Sequence, residues 1–294
     1  MLDGPFAPHH VPILTAQEAG HFGRAEIEPV IEPGLGPNMV AVLVGQRAFD
    51  LGQLTASVAA AAVSRGTPIR MVAIYQPRTA YAIVGLKGRV QLAGAKSIVG
   101  LQLGITPGTA DSMAFALFRR AQSIAASAVT VIPVDRGAKL GELVAGRFDL
   151  VLGDGASLRA GLLAQGETPE VLDLAEYGVP LQGFGFVASE ALLGSNSGLI
   201  RRALGAIRAG FVDAAADPAA ACRAARARFA MSETDEACAA ALVIFLAQVM
   251  PPSAAGWGQQ SGEAWQRMIE AMRAGGEIQG TRPSSFYYTN AVVP

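Results

Sequence analysis

The sequence predicts an α/β fold of two similarly wound lobes, and three observations carry that expectation. A phrase occurs twice: residues 42–52 read Val-Leu-Val-Gly-Gln-Arg-Ala-Phe-Asp-Leu-Gly, and residues 142–153 read Glu-Leu-Val-Ala-Gly-Arg-Phe-Asp-Leu-Val-Leu-Gly. Around each copy, short apolar strand-like runs alternate with helical ones, the pattern of sheets flanked by helices. The stretch from residue 199 to about 274 is helical throughout, too long for a cap on one lobe. In each copy an apolar helix end meets a stopping glycine (Gly45, Gly146), which supplies a left-handed cap without a Cβ penalty. Phe-Asp-Leu then opens a strand that ends at a glycine (Gly52, Gly153).

Taken in order, residues 11–22 carry an amphipathic helix pattern. Residues 27–31 alternate apolar with acidic, the period-2 sign of a strand. The loop 33–38 leads to a helix ending near Val44, a strand at 49–54 and an Ala-rich helix at 55–65. Strands follow at 69–75 and 81–86. Lobe two continues with a strand at 100–105, a helix at 111–122, a strand at 129–134 and a helix at 138–145. The second phrase opens a strand at 148–152, followed by a helix at 157–164 and strands at 171–174 and 184–188. The helical tail breaks at Asp217-Pro218, Met231-Ser232 and Pro251-Pro252. The alternation predicts parallel sheets. Crossovers near 76–81 and 178–183 make lobe one discontinuous (1–78 plus 184–294) and lobe two an insert (79–183), with a hinge between.

Composition excludes several functions. Hydrophobic residues make up 51% and charged residues 16%, so a large core forms and disorder is excluded. The net charge is −1 without a basic stripe, so nucleic acid has no electrostatic footprint. No apolar run reaches the roughly 18 residues of a membrane span. The lysines are only Lys87, Lys96 and Lys139, few candidates for Schiff-base chemistry. Gly194-Ser195-Asn196-Ser197-Gly198 places asparagine where a hydrolase elbow needs serine. The opening Met1-Leu2-Asp3-Gly4-Pro5 reads as a start inside a fold, after a signal or first strand, or as a cytoplasmic start. Cys222 and Cys238 lie in two Ala-rich helical stretches and are either buried thiols or a pair across a helical hairpin.

Candidate ligand contacts sit where open α/β sheets bind, beyond the carboxyl ends of strands. Gln53, Leu54 and Thr55 follow the first phrase, and Asp154 follows the second. Tyr75 and Gln76 end the strand entering the hinge, and Tyr177 precedes the return. Aromatic faces there suit a planar ligand, and core packing competes with that reading at each position. Gly36, Pro37 and Asn38 form a glycine-rich loop at a helix start, with Gly108 and Thr109 its counterpart in lobe two. Thr109 also suits a simple cap, and Asp111 beside it disfavours a bare anion. His9 and His10 diverge as neighbours and lack a further ligand cluster, so no metal is expected.

Several stretches together resemble solute-binding proteins of ABC importers, in the branch that binds nitrate, sulfonate and pyrimidine precursors of thiamine. They are Glu18-Ala19-Gly20-His21-Phe22, Val72-Ala73-Ile74-Tyr75-Gln76, residues 129–135, Ala175-Glu176-Tyr177-Gly178-Val179 and Phe286-Tyr287-Tyr288-Thr289-Asn290. The resemblance implies a two-lobed, type II periplasmic-binding-protein-like fold and a periplasmic monomer. It also implies a membrane permease as partner, no cofactor and no catalysis. It further implies that His10, with Phe6 in the same loop, touches the ligand, a small pyrimidine-like or aromatic molecule; Gly4 stands where the pyrimidine-precursor binders have tryptophan. Residues 47–78 also resemble dihydroxyphthalate decarboxylases, so an enzyme on the same fold is the alternative, beside a ligand-sensing domain. A pyrimidine-precursor synthase, with its lysine-bound cofactor and cysteine-rich iron motif, finds no matching cysteine cluster.

Overall fold

The computed structural model describes residues 1–107 and 109–294, which form two compact units. Unit 1 comprises Met1–Pro77, Gln182–Glu270 and Ile278–Pro294, and unit 2 comprises Arg78–Leu181 and Ala271–Glu277. Among the described residues, no helix is long and apolar enough to cross a membrane.

The chain runs through α1 (Val11–Glu18), α2 (His21–Arg24), α3 (Pro37–Gly45), β1 (Leu51–Thr55), α4 (Ala56–Ser64), β2 (Ile69–Ile74) and β3 (Tyr81–Leu86). It continues with β4 (Gln102–Ile105), α5 (Ala110–Ala121), β5 (Thr130–Pro133), α6 (Lys139–Val144), β6 (Leu150–Asp154), α7 (Gly155–Ala164), β7 (Pro169–Asp173) and β8 (Phe184–Ser189). The tail holds α8 (Glu190–Ser195), α9 (Ser197–Ala216), α10 (Pro218–Arg228), α11 (Asp235–Leu246) and α12 (Gly262–Ala274).

In unit 1 the strand order is β1-β8-β2, with both pairs antiparallel. The first residues extend this sheet: the Met1 amine donates to the Leu51 carbonyl (2.8 Å), Gln53 N–H to Met1 O (2.9 Å) and Leu2 N–H to Glu32 O (3.0 Å). Under the sheet, Tyr75, Phe186, Phe211, Phe245 and Trp257 form an aromatic core, with Trp257 stacked on Tyr75 at 6.1 Å. Such ring pairs contribute beyond their buried area. In unit 2 the order is β5-β4-β6-β3-β7. Here β4 runs parallel to β5 and β6, and β3 antiparallel to β6 and β7. Val84, Val151, Phe148, Leu143 and Leu162 close its core.

Neither sheet is parallel throughout: the three strands of unit 1 pair antiparallel, and the sheet of unit 2 is mixed. The strands running against the others, β3 and β8, follow the first two of the four passages of the chain between units, and their direction is set by long-range pairing that local alternation does not encode. The stretch 27–31 is extended but belongs to no strand. The first helix ends at Glu18, because Gly20 turns left-handed (φ +71°) and restarts the chain as α2. Gly146 is a left-handed cap as expected (φ +77°), but at the first copy Arg47 takes that conformation (φ +64°) and Gly45 stays helical. A Cβ on Gly45 would lie 2.9 Å from the Thr67 side chain, so glycine there serves packing. Gly52 and Gly153 lie inside their strands, and a Cβ on Gly52 would sit 2.5 Å from Val40, so α3 packs directly on β1. Cys222 and Cys238 form a disulfide joining α10 to α11, with Cα atoms 6.0 Å apart.

Candidate functional site

In unit 1 a polar cluster lies at the carboxyl end of β1. The strand ends at Thr55, whose cross-strand partner is Phe184. A single 3-10 turn, Pro8–His10, brings two imidazoles onto one carboxylate. Asp3 Oδ1 lies 2.7 Å from His10 Nε2 and 3.0 Å from His9 Nε2, and the two rings are 3.9 Å apart. The neighbours therefore converge rather than diverge. The His9 ring also stacks on Phe184, with centroids 5.0 Å apart and planes 14° apart.

The two histidines play different parts. His10 is fully buried; its Nδ1 accepts the Ala7 N–H (3.1 Å), which places its proton on Nε2, facing Asp3. Burial above all, with the neighbouring His9 charge, lowers its pKa to about 4 despite the opposing pull of Asp3. His10 is thus a neutral strut with both nitrogens engaged, and it offers no atom to a ligand. Burial alone would raise the Asp3 carboxyl, but His9 and the two imidazole hydrogen bonds outweigh it and hold it well below the usual carboxylate range. The His9 side chain remains 20% exposed and its Phe184 partner half-buried.

Asp3, His9 and His10 bring three ligand atoms within 4.8 Å of one another. The donor chemistry fits a hydrogen-bonded triad better than a metal site. A cation on His10 Nε2 would displace its proton to Nδ1, where the Ala7 N–H already points. Metal-bound imidazoles usually donate from the second nitrogen rather than accept there.

The other expected contacts divide. Phe6 is half-buried against Phe229, with centroids 4.9 Å apart. Gly36 is left-handed (φ +108°) and precedes Pro37, the first residue of α3, while Asn38 is exposed. Thr55 is half-buried, 3.2 Å from the Ser57 hydroxyl. Leu54 is core. Gln53 is buried, donating from Nε2 to the Tyr75 hydroxyl (2.6 Å) while its Oε1 has no partner among the described residues. Burial holds the Tyr75 hydroxyl well above its ordinary pKa. Gln76 is fully buried and clamps the start of β8, accepting the Phe184 N–H at Oε1 (3.1 Å). Leu54, Tyr75 and Gln76 are thus interior scaffold: Leu54 is packed within β1, and just past β2 Tyr75 stacks on Trp257 while Gln76 holds the Phe184 N–H.

In unit 2, Gly108 lies outside the described residues. Thr109 caps α5, accepting the Asp111 N–H (3.3 Å) and donating to Thr106 O (2.9 Å). Asp111 is buried in an ion pair with Lys139 (2.5 Å), which also donates to Leu152 O (2.7 Å). Its charge is balanced, so it does not disfavour an anion there. Asp154 caps α7 by accepting the Ser157 N–H (2.8 Å). Tyr177 is half-buried, edge-on to Phe118 at 6.1 Å. Sequence reasoning weighed His9 only as a metal ligand and missed Asp3 and Phe184. The available signal was the pair of histidines just after a proline, with an aspartate one short loop upstream.

Two units, one with an antiparallel and one with a mixed sheet, a discontinuous first unit and a helical tail have the periplasmic-binding-protein fold. The aliphatic sulphonate binding protein SsuA of Escherichia coli superposes with a TM-score of 0.78 at 13% identity, covering 98% of this chain and 91% of that one. The desulfurization enzyme DszB, in complex with biphenyl-2-sulfinic acid, gives 0.66 at 13% identity over 99% and 97% of the two chains. The chain belongs to the NMT1/THI5-like family, whose profile matches residues 7–221. The 4-amino-5-hydroxymethyl-2-methylpyrimidine phosphate synthase THI12 of Saccharomyces cerevisiae is 29% identical over 97 residues, 33% of this chain. That match spans only 28% of the yeast protein's length.

Proposed function

We propose that this protein is the solute-binding component of an ABC importer and takes a small planar organic molecule, pyrimidine-like or aromatic. The observation that carries the reading is the His9 ring, part-exposed at the carboxyl end of β1, backed by Phe184 and fixed by Asp3. An oriented, part-exposed imidazole gives a planar ligand an aromatic surface to pack on. Thr55, Gly36, Pro37, Asn38 and Phe6 of the same unit complete the proposed contacts; in unit 2, taken by itself, Thr109, Asp154 and Tyr177 remain candidates. Family membership supports a pyrimidine-like ligand, and the SsuA likeness keeps sulfonates in the test panel. The partner is a membrane permease and the compartment the periplasm. The Cys222–Cys238 disulfide supports an oxidising compartment.

The competing reading is an enzyme on the same fold, favoured by the Asp3–His9 pair, since a carboxylate-oriented imidazole can act as a general base. Calorimetric titration with pyrimidines, flavin-like compounds, aromatic acids and sulfonates, followed by mass spectrometry of the recovered compound, separates the two. The importer reading requires one compound to bind and return unchanged. Its consumption would establish the enzyme.

A further inference from the structure

The loop that carries His9 also carries one half of a second ring pair. Phe6 and Phe229 lie with centroids 4.9 Å apart and planes tilted by 51°. Both rings are half-buried, whereas the packing rings of the same unit are closed off, Phe211 at 0% and Phe245 at 2% exposure. Rings that only fill a core bury their whole surface; this pair keeps part of it in water.

Phe229 is held where it stands. It follows the last residue of α10, where the backbone turns extended (φ −119°, ψ 138°) and its N–H still reaches Ala225 O (2.9 Å). Three cross-links fix that end of the helix. Arg226 pairs with Asp235 at the start of α11, Arg228 pairs with Glu18 of α1 (3.0 Å), and the Cys222–Cys238 disulfide closes the loop that contains Phe229. Exposed ion pairs add little stability. Their effect here is to position a ring, and a part-exposed ring already ordered loses little freedom when a ligand covers it.

Covalent geometry limits the distance to the His9–Phe184 pair. Phe6 and His9 are three residues apart, so their Cα atoms lie at most about 11 Å apart. The turn at Pro8–His10 and the bond from the Ala7 N–H to His10 Nδ1 (3.1 Å) fold the segment and shorten that span. Helix α11 supports both pairs: Cys238 in its first turn anchors the Phe229 loop, and Phe245 in its last turn lies 6.1 Å from the His9 ring.

We propose that Phe229 is a specificity-determining residue of the ligand site, forming with Phe6 a second ring station beside His9–Phe184, and that the ligand carries two linked rings, one for each station. The proposal rests on the ligand reading above and narrows its ligand from one planar group to two. A single bond between the rings lets each turn to suit its own station. A one-ring compound covers the first station and leaves the second in water.

Calorimetric titration of the full chain with two matched pairs of probes tests this: benzoate against para-phenylbenzoate, and 4-aminopyrimidine against its 2-phenyl derivative. In one pair at least, the two-ring member should bind at least about 10-fold more tightly, the worth of burying a phenyl group. Phe229→Ala should weaken that member about 3- to 10-fold and leave its one-ring partner within about twofold. Phe229→Tyr keeps the ring and should keep the preference, which separates a lost contact from a disturbed fold. Two-ring members that bind no more tightly than their partners in both pairs would overturn the proposal and leave the ligand reading standing. A preference that survives Phe229→Ala would do the same. Failure of all four probes to bind would also overturn it, and the wider ligand panel then decides the ligand reading separately.

Discussion

The ring of His9 lies nearly parallel on that of Phe184, with centroids 5.0 Å apart, although 175 positions separate them in sequence (184 − 9). Phe184 is fixed by its pairing with Thr55 and by the Gln76 side chain that accepts its N–H. His9 is fixed by Asp3. The pair is a preorganised face, so little is spent ordering it on binding.

Replacing either ring should therefore weaken binding more than folding. His9→Ala and Phe184→Ala are each expected to raise Kd by about 3- to 10-fold, the worth of one aromatic contact. His9→Ala should change the melting point by under about 3 °C, because the side chain is part-exposed. Calorimetric titration and thermal melts of the same preparations check both expectations.

His10 predicts a pH dependence. It is neutral in the fold down to about pH 4, whereas in the unfolded chain it takes up a proton near pH 6.5. Between these values the unfolded state binds more protons, so acidification destabilises the fold. The loss across that window is on the order of 3 kcal/mol. Asp3 acts lower, since its depressed folded pKa gives stability that is lost only below about pH 4. Urea unfolding at pH 7 and pH 4.5 should show the difference, and His10→Gln should flatten it.

The Cys222–Cys238 bond closes a loop of 16 residues, for which chain entropy assigns about 3 kcal/mol. The double replacement Cys222→Ala with Cys238→Ala should lower stability by about that amount. Because α11 carries Phe245, 6.1 Å from the His9 ring, a smaller loss of affinity should accompany it. Denaturant titration with and without reductant measures the first effect, and calorimetry the second.

Asp111 and Lys139 form the buried ion pair of unit 2. Lys139→Met leaves a carboxylate buried without a counter-charge and should cost about 3–5 kcal/mol. Adding Asp111→Leu should restore most of it, since a buried pair replaced by apolar groups is often neutral. A double-mutant cycle by urea unfolding reads the coupling.

The sequence made the local parts of this fold legible. β3 spans the expected 81–86, and both copies of Phe-Asp-Leu lead into strands, β1 and β6. Long-range pairing was not legible. The alternation at 27–31 is a true strand pattern, yet no local signal says whether a partner strand lies beside it. The antiparallel course of β3 and β8 depends on partners about 70 to 130 positions away. At the site, the loop holding Phe6 and His10 was found, but the 3-10 turn at Pro8–His10 decides which imidazole faces inward. Two adjacent histidines carry no rule for that choice. Likewise Gln53, Tyr75 and Gln76 stood at the right strand ends, while their hydrogen bonds to one another and to β8 made them scaffold.

The most direct test of the account is calorimetric titration of the intact protein with the ligand panel, with the bound compound then released and weighed by mass spectrometry. The account predicts one planar compound bound at one per chain, recovered at unchanged mass, with binding weakened about 3- to 10-fold by His9→Ala. A compound altered on the protein, or full affinity retained without the His9 ring, would contradict it.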